Sequence, residues 1–437
     1  MKSIKALIGV SILTSLTIGV TACGTAQPSN SQTNSITAWD IQTSAVQNAI
    51  KAETATYNRQ YPNEQVKFSW YQNNPYKQKL RIVLGSGSST PTIFMNWGGG
   101  ILKSYVDTGD VYNLTNILNQ DPTWKDKFLP YVWSMTTFAG KIYGIPYTDS
   151  TAAFWFYNKK IFQQYNLTPP TTWQQLIHVV QVLHSHGVIP IAVAGSSQWP
   201  YEYYIEFLTQ RIGGMSVVNK ILSGSKSVWS DPSVIKAETM IQQLVRAGAF
   251  EPGYAGVSMN SEETAKLMTS GKTAMELVAE WEYANYHQFS PSFVDNDLGW
   301  FTFPSVQGGK GNLTDQFGVA SNYYSINAHA SPSQIQNAIQ YLKTVPLDKN
   351  MIHVWLSQGE VPPVRGIGNL IQQSPASQRN WLEYLYQQQK AAKHYTIAWD
   401  QGMSPTEATL FLRNLSELFS LQITPQQMAQ NMESAQY

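Results

Sequence analysis

The chain has 437 residues, which at roughly 150 residues per domain predicts two or three folding units. Its 29 Lys and Arg balance 28 Asp and Glu, and the net charge of +1 provides no field that would hold nucleic acid or an anionic substrate. Only 13% of residues are charged, whereas 12% are aromatic, including 14 Trp. Aromatic faces among neutral polar groups suit an uncharged ligand such as a sugar, and they equally suit a well-filled core.

The N-terminus has the pattern of an export signal. Two lysines in Met1–Lys5 precede the apolar run Ala6–Val20, which is too short to span a bilayer, so residues 1–22 are predicted to be a signal peptide. Val20-Thr21-Ala22-Cys23-Gly24 looks like a bacterial lipobox, in which Cys23, the only cysteine, is acylated and becomes the first residue. The alternative is a plain signal peptide with an incidental cysteine. Residues 23–35 contain no large apolar residue after Cys23 and are predicted to form a flexible tether.

Strand and helix patterns then alternate. The β-prone runs are Ile36–Trp39, Val66–Trp70 and Pro91–Met95, and the helical patterns between them cover Val46–Tyr61 and Tyr76–Leu84. This βαβαβ order predicts a largely parallel sheet with helices on both faces, in an α/β fold. Ligands in such folds lie beyond the carboxyl ends of the strands.

Residues that follow the predicted strands are therefore the first candidates for a binding site. They are Trp39 and Asp40 after the first strand, and Asn96 and Trp97 after the third. The intervening Gly85–Ser89 segment lacks the Lys-Ser/Thr of a phosphate-binding loop and is interpreted as a turn.

Several motifs resemble those of one protein family. Gly140-Lys141-Ile142-Tyr143-Gly144-Ile145-Pro146 and Phe156-Tyr157-Asn158-Lys159-Lys160-Ile161-Phe162 are similar to signatures of extracellular solute-binding proteins of bacterial ATP-binding-cassette (ABC) importers. The carbohydrate-binding family 1, of maltodextrin and multiple-sugar type, is the most similar. Further matches follow in the order found in that family, at 170–173, 190–195, 268–275, 303–305, 324–328, 359–363 and 424–428.

The resemblance implies a two-lobed, periplasmic-binding-protein-like clamp of type II. Each lobe would be a mainly parallel sheet flanked by helices, and ligand would bind between the lobes. Crossings between the lobes are expected near 146–150, 301–305 and 345–347. Lobe one would then comprise 36–147 plus 303–345, and lobe two 148–302 plus 346–437.

The resemblance also implies sugar contacts from lobe one and the first crossing. Asp40 resembles an acidic residue that accepts bonds from sugar hydroxyls, although an aspartate there also suits a helix cap. Asn96-Trp97 stands where relatives place a stacking aromatic, or else forms a turn with a buried Trp. Gly98–Gly100 would permit close approach of ligand or backbone. Asp149 is either an acidic sugar contact or a turn residue.

Lobe two supplies the remaining candidates by the same resemblance. Trp199 would offer an aromatic face, and Glu280-Trp281 resembles an element whose Trp stacks on sugar, with Ala279 where glycine is common. Trp399 resembles a third aromatic wall, and Arg365 is a candidate hydroxyl donor.

Together these features predict capture of a neutral extracellular sugar, most simply a di- or oligosaccharide, for delivery to the permease of an ABC importer. The predicted protein is a lipid-anchored monomer on the outer face of a cell membrane of Gram-positive type, with no enzymatic activity, cofactor, metal site or nucleic-acid partner. His184 and His186 do not have the spacing of a helical zinc site. The alternatives are a secreted glycoside hydrolase, a binding protein for peptides or polyols, and a surface adhesin or scaffold.

Overall fold

Two mixed β-sheets organise the chain. The computed structural model describes residues 35–87, 90–148, 151–319 and 321–435. The strands are β1 Ile36–Asp40, β2 Val66–Trp70, β3 Ile93–Asn96, β4 Thr137–Phe138, β5 Lys141–Ile142, β6 Ile145–Pro146, β7 Thr151–Asn158, β8 Ile189–Ala192, β9 Thr273–Ala279, β10 Leu298–Phe301, β11 Gln316–Val319, β12 Tyr323–Ile326 and β13 Tyr395–Ile397.

Helices cover both sheets. They are α1 Ser44–Gln60, α2 Asn73–Ser86, α3 Gly99–Asp107, α4 Thr115–Gln120, α5 Pro122–Lys125, α6 Lys159–Gln164, α7 Trp173–Ser185, α8 Glu202–Gly213, α9 Met215–Leu222, α10 Pro232–Arg246, α11 Glu263–Thr269, α12 Glu282–Phe289, α13 Pro291–Asn296, α14 Pro332–Thr344, α15 Lys349–Ser357, α16 Ile367–Gln372, α17 Ala376–Ala391, α18 Trp399–Gly402, α19 Pro405–Phe419 and α20 Pro425–Ser434. Among the described residues, no helix is both long and apolar enough to cross a membrane.

The first sheet has the strand order β2-β1-β3-β12-β6. β1 pairs in parallel with β2 and β3, and β12 runs against β3 and β6. The second sheet has the order β13-β11-β7-β9-β8, with β10 also paired to β7. Here β7 runs against β9, β10 and β11. One strand is thus reversed in each otherwise parallel sheet, and the predicted α/β class with two sheet-containing lobes is confirmed.

The chain passes between the sheets three times, and two of these crossings differ from expectation. The first separates β6 from β7. The second lies between β11 and β12, because β11 pairs with β7 and β13 in the second sheet. Buried Phe303 also packs in that lobe, with its ring 4.9 Å from that of Phe207. Assigning 303–319 to lobe one was therefore wrong.

The third crossing comes later than expected. α15 packs against α1 of the first sheet, and Asn350 donates a hydrogen bond to Glu53. The chain reaches the second sheet only with α17, where Trp381 contacts Phe154 and Phe156 of β7. Residues 346–357 therefore accompany the first sheet, and their expected place in lobe two was also wrong.

The second sheet is buried on both faces. Phe154 and Phe156 of β7 pack under α17, and Trp155 points to the opposite face, toward Tyr204 and Phe303. Alternation of side chains along a strand produces this arrangement. A strand covered on both faces reads as one continuous apolar run, which explains the sequence of β7.

Candidate functional site

A cavity of about 330 Å³ lies between residues carried by the two sheets. Gln42, which follows β1, and the N-terminal part of α2 line one side. The loop before α8 and the start of α12 line the other. Thr151, Gly318 and Asn322, on segments beside the crossings, also contribute. The site thus lies beyond the ends of β1 and β9, where α/β sheets usually bind ligands.

Three tryptophans bring aromatic faces to this cavity. They are Trp97 beyond β3, Trp199 in the loop before α8, and Trp281 directly after β9. The rings of Trp199 and Trp281 lie 6.0 Å apart at 60°, and Tyr203 stands edge-on to Trp199 at 6.1 Å. Aromatic walls therefore come from the ends of both sheets.

Neutral amides dominate the polar lining. Gln42, Asn73, Asn285, Asn322 and Gln358 all face the cavity. Each amide group offers both a hydrogen-bond donor and an acceptor, as needed to match a ring of hydroxyls. With the tryptophans, they give the cavity apolar faces and neutral polar edges.

An ion pair connects the two sides of the cavity. The Nζ of Lys77 on α2 lies 2.7 Å from Oδ2 of Asp400 on α18. The same oxygen accepts a hydrogen bond of 2.8 Å from Gln401, and the Asp400 backbone N–H donates to Glu202. A second cavity of about 370 Å³ shares Lys77, Asp400, Trp97 and Trp199 with the first. These shared residues separate the two chambers.

Carboxyl groups behind the ion pair are held in a low-polarity environment. Burial raises the pKa of Glu202 well above its usual range, and the nearby Asp400 and Glu206 carboxylates add to the rise. Burial raises the pKa of Glu206 to about 8, although the backbone N–H of Trp399, which donates to it, opposes the shift. Glu206 is therefore mostly protonated at neutral pH, and burial favours the protonated form of Glu202 as well.

Asp40 is not at the cavity surface. Its buried carboxylate accepts hydrogen bonds from the hydroxyls of Tyr147 and Tyr324 and from the backbone N–H groups of Ile41 and Gln42. Burial raises its pKa to about 6 despite these bonds. The structure therefore gives Asp40 a structural role, which includes capping the turn after β1.

Two further candidates, Asn96 and Glu280, fix the turns that carry the cavity tryptophans. Asn96 donates to the Ser325 hydroxyl at 2.8 Å and accepts from the Gly98 backbone N–H at 3.0 Å, so it fixes the turn that carries Trp97. Its side chain borders only the second chamber. Glu280 accepts a hydrogen bond from the Ala152 backbone N–H and ties the start of β7 to the turn before Trp281.

Three further candidates do not line the main cavity. Trp39 is buried beside Tyr71, with the ammonium of Lys79 4.9 Å from the centre of its ring. Arg365 is exposed and donates to the Asp126 carbonyl oxygen. Trp399 is fully buried against Trp229 and Phe411, although the adjacent Asp400 does face the cavity. Asp149 and Cys23 lie outside the described residues.

The glycines after Trp97 permit contact between backbones of the two lobes. A Cβ at Gly99 would lie 2.7 Å from the Gln401 carbonyl oxygen, and one at Gly100 would lie 2.6 Å from that of Met403. Gly98 and Gly99 also have φ values of +75° and +65°, which favour glycine. These glycines were expected to permit close approach of either a ligand or another part of the backbone. The structure shows the second, because the Gln401 and Met403 carbonyl groups pack against them.

Several site residues were missed from the sequence. Lys77, Tyr203 and Asn285 lie within helices and follow no strand-end rule. Asp400 was adjacent to a named candidate, and Gln42 followed another by two positions. Within the described ranges, no group of three or more His, Cys, Asp or Glu is arranged to hold a metal ion.

Comparison with known proteins assigns the chain to a family. A model of the bacterial extracellular solute-binding proteins matches residues 39–345. An uncharacterized ABC transporter extracellular-binding protein of Pyrococcus horikoshii is 24% identical over 310 residues, covering 70% of this chain and 67% of that protein. A multiple sugar-binding protein of Streptococcus mutans is 23% identical over 290 residues, covering 62% and 66%.

A solved structure agrees with this result. It comes from work on xylan utilization by Caldanaerobius polysaccharolyticus and has a TM-score of 0.83 at 27% identity, covering 91% of this chain and 99% of that chain. The family model alone matches more than half of the 437 residues. The chain therefore belongs to the bacterial extracellular solute-binding protein family.

Proposed function

We propose that this protein captures a neutral oligosaccharide between its lobes and delivers it to the permease of an ABC importer. The observation that carries the proposal is the set of three tryptophans, Trp97, Trp199 and Trp281, in a cavity otherwise lined mainly by amides. The faces of a pyranose ring are apolar C–H surfaces, and its edge carries hydroxyls. Aromatic walls with neutral hydrogen-bonding groups between them match both parts.

The relatives support a sugar as ligand. The Streptococcus mutans protein is named for binding multiple sugars, and the Caldanaerobius structure comes from work on xylan utilization. The second chamber beyond Trp97 supports an oligosaccharide over a single ring, because it provides space of about 370 Å³ next to the main cavity.

The two sheets define the lobes in this proposal. Lobe one comprises 36–147 and 321–357, and lobe two comprises 151–319 and 376–435, with 358–375 connecting them. A sugar that contacts both lobes favours the closed form by its differential affinity, and the closed form is the one presented to the permease.

The sugar is proposed to leave unchanged, because the matched family consists of binding proteins. We further propose that Cys23 carries a lipid that holds a monomer on the outer face of a Gram-positive type membrane. Mass spectrometry of the protein from its native host tests this anchor, and an unmodified Cys23 would exclude it.

Isothermal titration of the purified protein tests the sugar proposal. The panel contains xylo-, chito- and gluco-oligosaccharides of two to four units, with a tripeptide and a polyol as controls. We expect saturable micromolar binding of one oligosaccharide class, with the sugar recovered intact by chromatography. Binding of the peptide or polyol alone would exclude sugar capture, and shortened sugar would indicate a hydrolase.

A further inference from the structure

The main cavity has an unequal balance of charged side chains. Among the described residues that line it, Lys77 is the single Lys or Arg, whereas Glu202, Glu262, Glu360 and Asp400 supply carboxyl groups. The rest of the polar lining is largely amide. Whether this surface can accept an anion therefore depends on whether Lys77 is available.

Lys77 is already engaged. Its ammonium lies 2.7 Å from Asp400 Oδ2 and 4.9 Å from the centre of the Trp97 ring. It therefore forms an ion pair with a carboxylate and a cation–π contact with an aromatic ring. The Lys77 side chain is 22% exposed and that of Asp400 is 5% exposed. An ion pair so poorly hydrated is screened less by water and salt than one at the surface.

Asp400 has two contacts besides the ion pair, one through its side chain and one through its backbone. Oδ2 also accepts from Gln401, and the backbone N–H of Asp400 donates to buried Glu202 at 2.9 Å. The charged or titratable groups facing this point are Lys77 from α2, Glu202, Tyr203 and Glu206 from α8, and Asp400 itself. Lys77 is thus the one cation beside three carboxyl groups.

We propose that the Lys77–Asp400 pair makes the main cavity select against anionic sugars, such as uronic acids and sugar phosphates, by neutralising the one Lys or Arg among the described residues that line it, whereas Arg81 lines only the second chamber. This inference rests on the proposed sugar-binding function. An incoming carboxylate would either displace Asp400 from Lys77, leaving a buried carboxylate without its cation, or share the ammonium and place two carboxylates beside one positive charge. A neutral sugar of the same shape leaves the pair intact, because it needs only amides and aromatic faces.

The test compares sugars that differ in one charge and one methyl group. The probes are cellotriose and N-acetylchitotriose with one C6 group oxidised to carboxylate, and xylotriose with a glucuronic acid branch. Each is paired with its uncharged methyl ester. We expect the wild-type protein to bind at least one ester ten or more times as tightly as its free acid, by titration at pH 7.

Variants assign the selectivity to the ion pair. Asp400→Asn alone leaves the Glu202 carboxyl near Lys77, so the decisive variant is Asp400→Asn with Glu202→Gln, which removes both carboxyl groups. We expect this double variant to raise the ratio of acid affinity to ester affinity at least tenfold over wild type, whatever the change in ester affinity itself. Glu262→Gln removes a carboxylate from the same cavity without contacting Lys77, and it should leave the acid-to-ester ratio within twofold.

The affinities of the wild-type protein and of the double variant for acid and ester decide the question. Equal affinity of the wild-type protein for acid and ester would overturn the inference and leave the sugar function standing. A double variant that still binds esters and gains nothing for acids would also overturn it. Thermal unfolding confirms that the double variant is folded, and the wild-type comparison decides the question if it is not. No binding of any probe or neutral parent sugar would remove the proposed function and this inference with it.

Discussion

Glu251 should make the protein less stable as the pH rises. It directly follows Phe250, which pairs with Ile191 of the edge strand β8, and the residue is 6% exposed. The titratable groups around it are Tyr201, Tyr204, Tyr254, Glu263 and Glu276, and among the described residues it forms no ion pair. Burial raises the pKa of Glu251 to about 7.

The magnitude follows from the two pKa values. Below pH 4.5 the carboxyl is protonated in both the folded and the unfolded chain, and it contributes no pH dependence. As the pH rises from 4.5 to about 7, the unfolded chain releases its proton first, so the free energy of unfolding falls. At about 1.4 kcal/mol per pH unit, the total loss from this group is about 3 kcal/mol, complete above pH 7.

Urea unfolding of Glu251→Gln at pH 4.5 and pH 8 measures this effect. Glutamine has a similar shape and does not titrate, so the variant should gain about 3 kcal/mol over wild type between the two pH values. Glu251→Asp keeps a carboxyl at the site and should retain most of the wild-type pH dependence. A Glu251→Gln variant with the same change in stability as wild type between pH 4.5 and 8 would refute the reasoning.

Three further changes test the packing and the anchor. Trp399→Ala removes a fully buried ring that contacts Trp229 and Phe411, and should lower the free energy of unfolding by about 3–5 kcal/mol in urea; a loss below about 1 kcal/mol would contradict this packing. Gly100→Val places a side chain against the Gly402 and Met403 carbonyl oxygens and should lower the melting temperature by several degrees. Gly85→Ala is the control, because a Cβ there meets nothing within 4 Å, and it should leave the melting temperature unchanged. Equal melting temperatures of the two variants would argue against the close approach of Gly100 to these carbonyl groups. Cys23→Ser should release the protein from the membrane fraction of its host, and continued membrane attachment would exclude the lipid anchor.

The local part of the fold could be predicted because its signals are local. The first two helices and three strands were expected at 36–39, 46–61, 66–70, 76–84 and 91–95, and the structure has them within a few residues of those bounds. Apolar periodicity and turn residues lie within each segment. α2 continues to Ser86, past the expected start of the turn, and Gly87 ends it with a φ of +68°.

The later crossings could not be predicted in this way. β11 belongs to the second sheet because Gly318 pairs with Ala152 and Ile397, which are 166 and 79 residues away by their numbers. Nothing within the sequence of β11 specifies these partners. The register of distant strands, and not the local pattern, therefore determines where the chain changes lobe.

In the candidate site, too, local sequence predicted some residues, and contacts between distant segments decided others. Trp97 and Trp281 could be predicted because each follows a strand that ends at the cavity. Asp40 follows a strand equally closely, but Tyr147 and Tyr324, which are 107 and 284 residues away, bind its carboxylate within the protein. Lys77 pairs with Asp400 across 323 residues. The contacts of Asp40 form only when lobe one is assembled from distant segments, and the Lys77–Asp400 pair forms only when the two lobes meet.

Sugar titrations of three variants test the central claim, that tryptophans from both lobes bind an oligosaccharide. We predict that Trp97→Ala and Trp281→Ala each weaken binding of the best oligosaccharide at least tenfold while the variants remain folded by thermal unfolding. Trp97 is only 8% exposed, so its variant should also lower the melting temperature, and the titrations are made well below that temperature. Arg365→Ala, a change at an exposed side chain outside the cavity, should leave the affinity unchanged. Wild-type affinity in both tryptophan variants, or equal losses in all three, would contradict the account.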